Sequence, residues 1–149
     1  NGSGVSSATF DYTPMLAFFD SMYSEQAPFG ITYLGFYWGS VDTYNSFAFY
    51  SGETLIGSIS GTELLEELDG SAGDRTGNSS NVYVNIDFSL EEQFDRMVVT
   101  TSGIAGEFDN IVVGITGQPL SQVSVPAPAT ALLFVLGLVG VGAARRFKK

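Results

Sequence analysis

The C-terminal segment of the chain is an uninterrupted apolar run between a proline break and a basic end. The sixteen residues from Ala129 to Ala144 carry no charge, and the four residues before them extend the run to twenty. At about 1.5 Å of rise per residue, twenty residues span a hydrocarbon core of about 30 Å. The run has no polar face to turn towards water, which disfavours the alternative of a buried C-terminal helix. The sequence therefore predicts a single transmembrane helix with a basic tip over residues 129–149.

The charges are divided between the two ends of the chain. Four of the six Lys and Arg residues lie in the last five positions, whereas residues 1–128 hold Arg75 and Arg96 against all sixteen acidic residues, a net charge of −14. Basic flanks of membrane helices stay in the cytoplasm, so this pattern predicts that the C-terminus lies in the cytoplasm and the N-terminal domain outside it. The chain starts without an apolar export signal, and we therefore expect Asn1 at or near the mature start. The negative charge of residues 1–128 also disfavours nucleic acid as a partner, because nucleic acid is itself anionic.

Small residues lie along the apolar run. Gly140 and Ala144 have the small-xxx-small spacing that lets membrane helices approach closely, and Gly137 lies one turn before them. The alternative is that the spacing of these small residues has no function, because glycine is common in membrane helices generally. The spacing fits contact with another membrane helix without naming the partner.

Taken together, the proline break, the apolar run and the basic end resemble the C-terminal sorting signal of the PEP-CTERM family, the substrates of exosortases in Gram-negative bacteria. The matching residues are Pro126, Ala127 and Pro128, followed after the apolar run by Arg145 and Arg146. Ala127 stands where the family usually has glutamate. The resemblance implies export, residence in the inner membrane, and cleavage near the proline motif before release to the cell surface. It also implies membrane lipid and an exosortase-type enzyme as partners.

The rest of the chain is patterned for β-structure. Val82, Val84 and Ile86 alternate with polar residues, as in a strand with one buried face, and glycine-containing turns separate several such segments. We predict a mainly β, jelly-roll-like antiparallel sandwich over residues 1–117, with an immunoglobulin-like sandwich as the alternative. A proline-rich linker is expected at 118–128, a short helix capped by Thr62 at 62–68, and an exposed polar loop at 69–80. The predicted strands are 8–12, 31–38, 47–50, 54–59, 82–88, 97–101 and 111–115.

Composition excludes several kinds of chemistry. The chain has no His and no Cys, which removes Ser–His–Asp catalysis, thiol nucleophiles and zinc clusters. The adjacent glutamates at 66–67 and 91–92 are more typical of a solvated face than of a glycosidase pair, whose carboxyls flank a sugar. We therefore predict a protein that is not an enzyme.

Calcium is the one metal that the composition favours, because it prefers several oxygen ligands. One candidate site is the loop between Asp69 and Asp74, and the other joins Asp11 to Asp109 and Asn110. The alternatives are a solvated loop for the first pair and a turn that caps a strand for Asp109 and Asn110. No cofactor is otherwise expected.

Aromatic residues form the remaining candidate site. Tyr37, Trp38, Tyr44 and Tyr50 fit either a sugar-stacking platform or the core, whereas the phenylalanines between positions 36 and 49 fit the core better. The carbohydrate-binding interpretation predicts that Trp38 is exposed, and a buried Trp38 together with no glycan binding would exclude it.

Three functions follow from the sequence. The first is a non-enzymatic surface protein held in the inner membrane by its sorting tail. The second is an accessory subunit of a larger inner-membrane complex, docked through its helix and acidic domain. The third is a carbohydrate-binding module.

Overall fold

The described part of the chain, residues 4–104 and 106–119 of a computed structural model, consists mainly of strands. Two helices and a single 3₁₀ turn interrupt the strands described there. Each of the seven segments predicted as strands overlaps a strand of the structure. The elements are β1 (Ser6–Asp11), α1 (Thr13–Met22), β2 (Gly30–Gly39), β3 (Asn45–Ser51), β4 (Thr54–Ser60), α2 (Gly61–Leu68), the 3₁₀ turn (Asn78–Ser80), β5 (Val82–Asp87), β6 (Arg96–Thr101) and β7 (Glu107–Thr116).

The strands form two antiparallel sheets. The four-stranded sheet has the order β1-β6-β3-β4, and the three-stranded sheet has the order β5-β2-β7. β2 lies at the centre of its sheet, between two strands that come much later in the chain. The predicted mainly β, antiparallel architecture is confirmed.

Aromatic side chains fill the space between the two sheets. The ring centroid of Phe47 on β3 lies 4.5 Å from that of Phe36, 4.8 Å from that of Trp38 and 5.4 Å from that of Phe108. Phe10 on β1 meets Phe108 from the same side as Phe47, with 6.1 Å between centroids. Phe47 is therefore the ring through which the two sheets interlock at this end of the sandwich.

A second aromatic cluster closes the other end of the core. Phe49, Phe88 and Phe94 pack with ring centroids 4.9–5.2 Å apart, and Met97 is buried in the same core. The chain has no cysteine, so packing rather than disulfides holds the domain.

Helix α1 has no counterpart among the sequence predictions. Four of its ten residues are good helix formers, namely Met15, Leu16, Ala17 and Met22, but the short segment also carries two adjacent phenylalanines, which favour strands. Pro14 lies in its first turn, where a missing N–H costs nothing. Leu16 is buried against the core, so tertiary packing stabilises a helix that propensity alone does not specify.

Helix α2 is present where it was predicted, but its cap is different. Ser60, not Thr62, is the N-cap: the Glu63 N–H donates to Ser60 Oγ at 3.2 Å, and the Ser60 N–H donates to Glu63 Oε2 at 2.8 Å. This reciprocal pair is a capping box. Thr62 lies inside the helix, and its hydroxyl donates to the Thr43 carbonyl at 3.4 Å. Serine three residues before glutamate was the signal for the cap.

The polar segment after α2 is exposed for most of its length, as predicted, but one residue fixes it to the sandwich. Ser80 is only 1% exposed, and its Oγ donates to the Ser71 carbonyl at 2.7 Å and accepts from the Ser71 N–H at 3.0 Å. Asn81 Nδ2 donates to the carbonyls of Asp74 and Gly77, at 2.8 and 2.9 Å. The loop is thus held in shape by its own side chains.

Several sequence predictions fall outside the described residues. Within residues 4–104 and 106–119, no helix is long and apolar enough to cross a membrane. The predicted transmembrane helix at 129–149 and most of the linker lie beyond that part. The predicted residues concerned are Pro126, Ala127, Pro128, Gly137, Gly140, Ala144, Arg145 and Arg146.

Candidate ligand-binding face

The outer face of the three-stranded sheet carries a group of tyrosines. Side chains alternate along a strand, and Leu34, Phe36 and Trp38 of β2 are buried in the core. The intervening residues Tyr33, Gly35 and Tyr37 therefore belong to the opposite face. These three residues form the middle of the outer face of the three-stranded sheet.

The neighbouring strands complete this face in register. We call it the tyrosine face and define it by Tyr33, Gly35, Tyr37, Tyr83, Asn85, Asp87, Asp109, Val112 and Gly114. Tyr37 lies between Tyr83 and Asp109, and Gly35 lies between Asn85 and Val112. Tyr33 lies between Asp87 and Gly114. Aromatic and polar groups thus alternate over three strands.

Gly35 at the centre of the face lets two phenol groups lie down on the sheet. A Cβ on Gly35 would lie 2.5 Å from Tyr33 Oη and 2.7 Å from Tyr83 Oη. Tyr33 Oη donates to Asn85 Oδ1 at 2.8 Å, and Tyr83 Oη donates to the Asn110 carbonyl at 3.3 Å. The two phenol groups are therefore held over bare backbone by hydrogen bonds at their tips.

The Tyr33 phenol keeps its proton at neutral pH. Burial of the Tyr33 phenol raises its pKa above the ordinary value, and the neighbouring Tyr83, the charge of Asp87 and a hydrogen bond with Tyr83 act in the same direction. Tyr37 and Tyr83 remain 38% and 43% exposed. The face therefore presents both aromatic surface and hydroxyl groups to a ligand.

An open hollow of about 480 Å³ adjoins the face at Tyr37 and Asp109. Its other lining residues include Arg75 and Glu107, which supply one cation and one carboxylate. Arg75 comes from the polar loop that Ser80 and Asn81 fix to the sandwich. The hollow extends the face towards groups that make directional hydrogen bonds.

Of the four aromatic residues predicted to bind a ligand, Tyr37 lies on this face and Trp38 does not. Trp38 is 1% exposed and packs against Phe36 and Phe47 between the sheets. Of the two alternatives for Trp38, a sugar-stacking platform and the core, the structure shows the core, because strand alternation places it on the same side as Phe36, two residues earlier. Its indole belongs to the core.

Tyr44 and Tyr50 lie elsewhere on the molecule. Tyr44 precedes β3, and its hydroxyl donates to Asp42 Oδ2 at 2.6 Å and to the Ile104 carbonyl at 3.1 Å. The hydrogen bond to Asp42 is the main reason that the pKa of Tyr44 is raised, with burial and nearby negative charge adding to it. Tyr50 is on the four-stranded sheet, where the Arg96 guanidinium lies 4.3 Å from its ring centroid. The structure does not bring the four predicted residues together.

The candidate calcium site of Asp11, Asp109 and Asn110 is divided among local hydrogen bonds. Asp11 Oδ1 accepts from the N–H and the hydroxyl of Thr13, at 2.9 and 2.6 Å, and these bonds lower the pKa of its carboxyl. Asp109 Oδ1 accepts from the Asn110 N–H at 2.6 Å. Asn110 has a φ of 54° inside β7, at a register irregularity, so the two residues form a strand bulge rather than a turn before a strand.

The candidate calcium site in the loop between Asp69 and Asp74 shows the same local use of carboxylates. Asp69 ends α2 with a φ of 51°. Asp74 Oδ1 accepts from the N–H groups of Thr76 and Gly77 at 2.9 and 3.0 Å, and these bonds lower the pKa of its carboxyl. In the part of the chain that the structure describes, no three His, Cys, Asp or Glu residues group as a metal site would require. Calcium binding stays a prediction.

Sequence reasoning missed Tyr33 and Tyr83 as residues of the candidate site. One signal was present, because Tyr33 and Tyr37 are four residues apart on one strand and must share a face. The pairing of β2 with β5, which brings Tyr83 opposite Tyr37, is a contact between distant segments that no local pattern specifies.

Comparison of this chain with protein-family models, with curated proteins and with solved structures finds no match. What the protein does must therefore follow from its own residues.

Proposed function

We propose that this chain is a non-enzymatic exported protein of a Gram-negative envelope, held in the inner membrane by its C-terminal segment until a sorting enzyme releases it to the cell surface. The observation that carries the proposal is the order of the last residues: a proline pair, an uncharged run from Ala129 to Ala144, and a basic end. This order gives the membrane span and its orientation.

The charge distribution supports the same orientation. An acidic body of charge −14 and a basic tip belong on opposite sides of the inner membrane, with the sandwich in the periplasm. In this proposal the sandwich is a jelly roll, the single transmembrane helix follows the linker at 118–128, and the tail is temporary. Strand β7 ends at Thr116, so the linker begins within two residues of the sheet.

Topology in cells tests the proposal. The full chain, exported in a Gram-negative host that lacks a sorting enzyme, is expected in the membrane fraction after alkaline extraction. Protease added to spheroplasts should digest the sandwich, whereas a tag placed after Lys149 should be digested only after lysis. A sandwich that is protected in intact spheroplasts, or a chain that alkaline washing extracts, would contradict the proposal.

A matched variant separates the span from the sandwich. Replacing Leu133 and Leu136 by arginine places two charges in the apolar run, and each charge costs about 3 kcal/mol at the centre of a membrane helix. We expect this variant to leave the membrane fraction. If the alternative role as a subunit of a membrane complex holds, the solubilised wild-type chain will instead copurify, uncleaved, with other integral membrane proteins.

A further inference from the structure

We propose that the tyrosine face binds a neutral glycan chain. This binding goes beyond the anchoring and release proposed above, and it does not depend on either, because the face belongs to the sandwich alone. The strand rise of about 3.3 Å places the Cα atoms of Tyr33 and Tyr37, four residues apart, about 13 Å from each other. The face is therefore long enough for more than one sugar ring.

Aromatic side chains supply the apolar part of the recognition. The faces of sugar rings carry C–H groups, which pack on the flat surface of a tyrosine, whereas the sugar hydroxyls point outwards from the ring edge. Tyr37 and Tyr83 are directly opposite each other on adjacent strands and are both partly exposed. Tyrosine combines an apolar ring with a polar tip, which suits such a ligand.

Hydrogen-bonding groups lie between and beside the rings. Asn85 accepts from Tyr33 Oη with its Oδ1, and an asparagine amide also has two N–H donors to offer a sugar hydroxyl. The carboxylates of Asp87 and Asp109 lie at two corners of the face, and both residues are exposed. Carboxylates accept from sugar hydroxyls, so the face offers both donors and acceptors.

The charge of the protein indicates a glycan without anionic groups. Asp87, Asp109 and Glu107 lie around the face and its hollow and outnumber the cation that lines the hollow, Arg75, and the whole body is strongly acidic. An anionic polysaccharide would be repelled by this field, whereas a neutral one is indifferent to it. A neutral ligand also predicts weak dependence on salt, because no ion pairs form.

The outer face of the other sheet offers no equivalent. Strand alternation leaves Thr9 of β1, Thr100 of β6 and Ser46 and Ala48 of β3 on that side, and the aromatic residue there, Tyr50, is covered by Arg96. Small hydroxyl side chains give no stacking surface. The two outer faces of one domain thus provide a comparison within the same molecule.

Calorimetric titration of the full chain, solubilised in a detergent without a sugar headgroup, tests the proposal. The probes are cellohexaose, mannohexaose, xylohexaose and chitohexaose, with alginate and heparin oligosaccharides as anionic comparisons. We expect at least one neutral hexaose to bind, with an affinity that changes less than about twofold between 50 and 300 mM salt. Binding only to the anionic oligosaccharides would overturn the proposal.

Variants locate the site. Tyr37→Ala and Tyr83→Ala should each weaken binding by about tenfold, since truncation of a central aromatic contact typically costs more than 1 kcal/mol. Tyr23→Ala removes an exposed ring at the end of α1, away from the tyrosine face, and should leave the affinity unchanged. Circular dichroism shows whether the variants are folded, and Tyr83→Phe, which keeps the ring, should retain most of the affinity.

Two outcomes would refute the assignment. If no neutral hexaose binds at millimolar concentration, the face does not have the proposed function. If binding occurs but Tyr23→Ala weakens it as much as Tyr37→Ala does, the ligand lies elsewhere. Neither outcome bears on the membrane topology, so failure of this proposal is distinguishable from failure of the anchoring proposal.

Discussion

Replacement of Phe47 by alanine tests how the sandwich is held together. The side chain is 1% exposed and packs against Phe36 and Trp38 of the opposing sheet and Phe108 of β7. Removal of a buried phenylalanine costs about 3–5 kcal/mol through lost burial and the cavity left behind. Three ring contacts on a ring that interlocks both sheets favour the middle of that range, about 4 kcal/mol. A domain of this size has about 5–15 kcal/mol in total, so the loss amounts to about a quarter to four fifths of its stability.

Urea unfolding of the full chain measures this cost. Trp38 is the single tryptophan of the chain and lies beside Phe47, so its fluorescence reports on the site, with circular dichroism as a second probe. With a urea dependence of about 2 kcal/mol per molar, the midpoint should fall by about 2 M. Leu55→Ala, at a side chain that is 55% exposed, serves as the control and should change stability by less than about 0.5 kcal/mol. A Phe47→Ala loss below about 1 kcal/mol would refute the reasoning that this ring joins the sheets.

Three smaller changes test local features by the same unfolding assay. Ser60→Ala removes the side chain that Glu63 pairs with in the capping box and should cost about 1 kcal/mol; no measurable loss would mean that the cap contributes nothing. Gly61→Ala should cost about 2 kcal/mol, because its Cβ would collide with the Asp42 carbonyl oxygen, which is backbone and cannot turn away; a neutral result would contradict that close approach. The pKa of Asp74 is lowered in the folded state, so its contribution is present above the ordinary value of 3.8 and is lost as pH falls through the folded-state pKa. The stability difference between wild type and Asp74→Ala should therefore shrink from pH 6 to pH 3, and a constant difference would argue against the assigned hydrogen bonds.

Local patterns in the sequence predict the strands well, because alternation is a property of the strand itself. Val84 and Ile86 indicate the buried side of β5, and Phe47 and Phe49 indicate that of β3. Helix α1 is different, since its buried Leu16 gains from a core that other segments build. The sequence of this segment alone does not predict a helix.

The candidate site depends on contacts that no local pattern contains. β2 pairs with β5 and β7, which begin more than forty residues later in the chain. Alternation predicts that Tyr33 and Tyr37 share a face, and it also predicts that Trp38 shares the inner face with Phe36. The placement of Tyr83 and Asn85 around Gly35 follows only from the order of the strands. Sequence patterns therefore identify individual residues of the face but not how strand pairing brings them together.

The intact mass of the protein isolated from cells tests the central claim most directly. The chain is expressed in a Gram-negative host with an active exosortase and in the same host with the enzyme inactivated, and both products are weighed by mass spectrometry. We predict that the active strain yields a shorter species that ends near Pro126–Pro128, whereas the inactive strain retains every residue to Lys149. The same full-length mass in both strains would contradict the claim that the tail is a sorting signal.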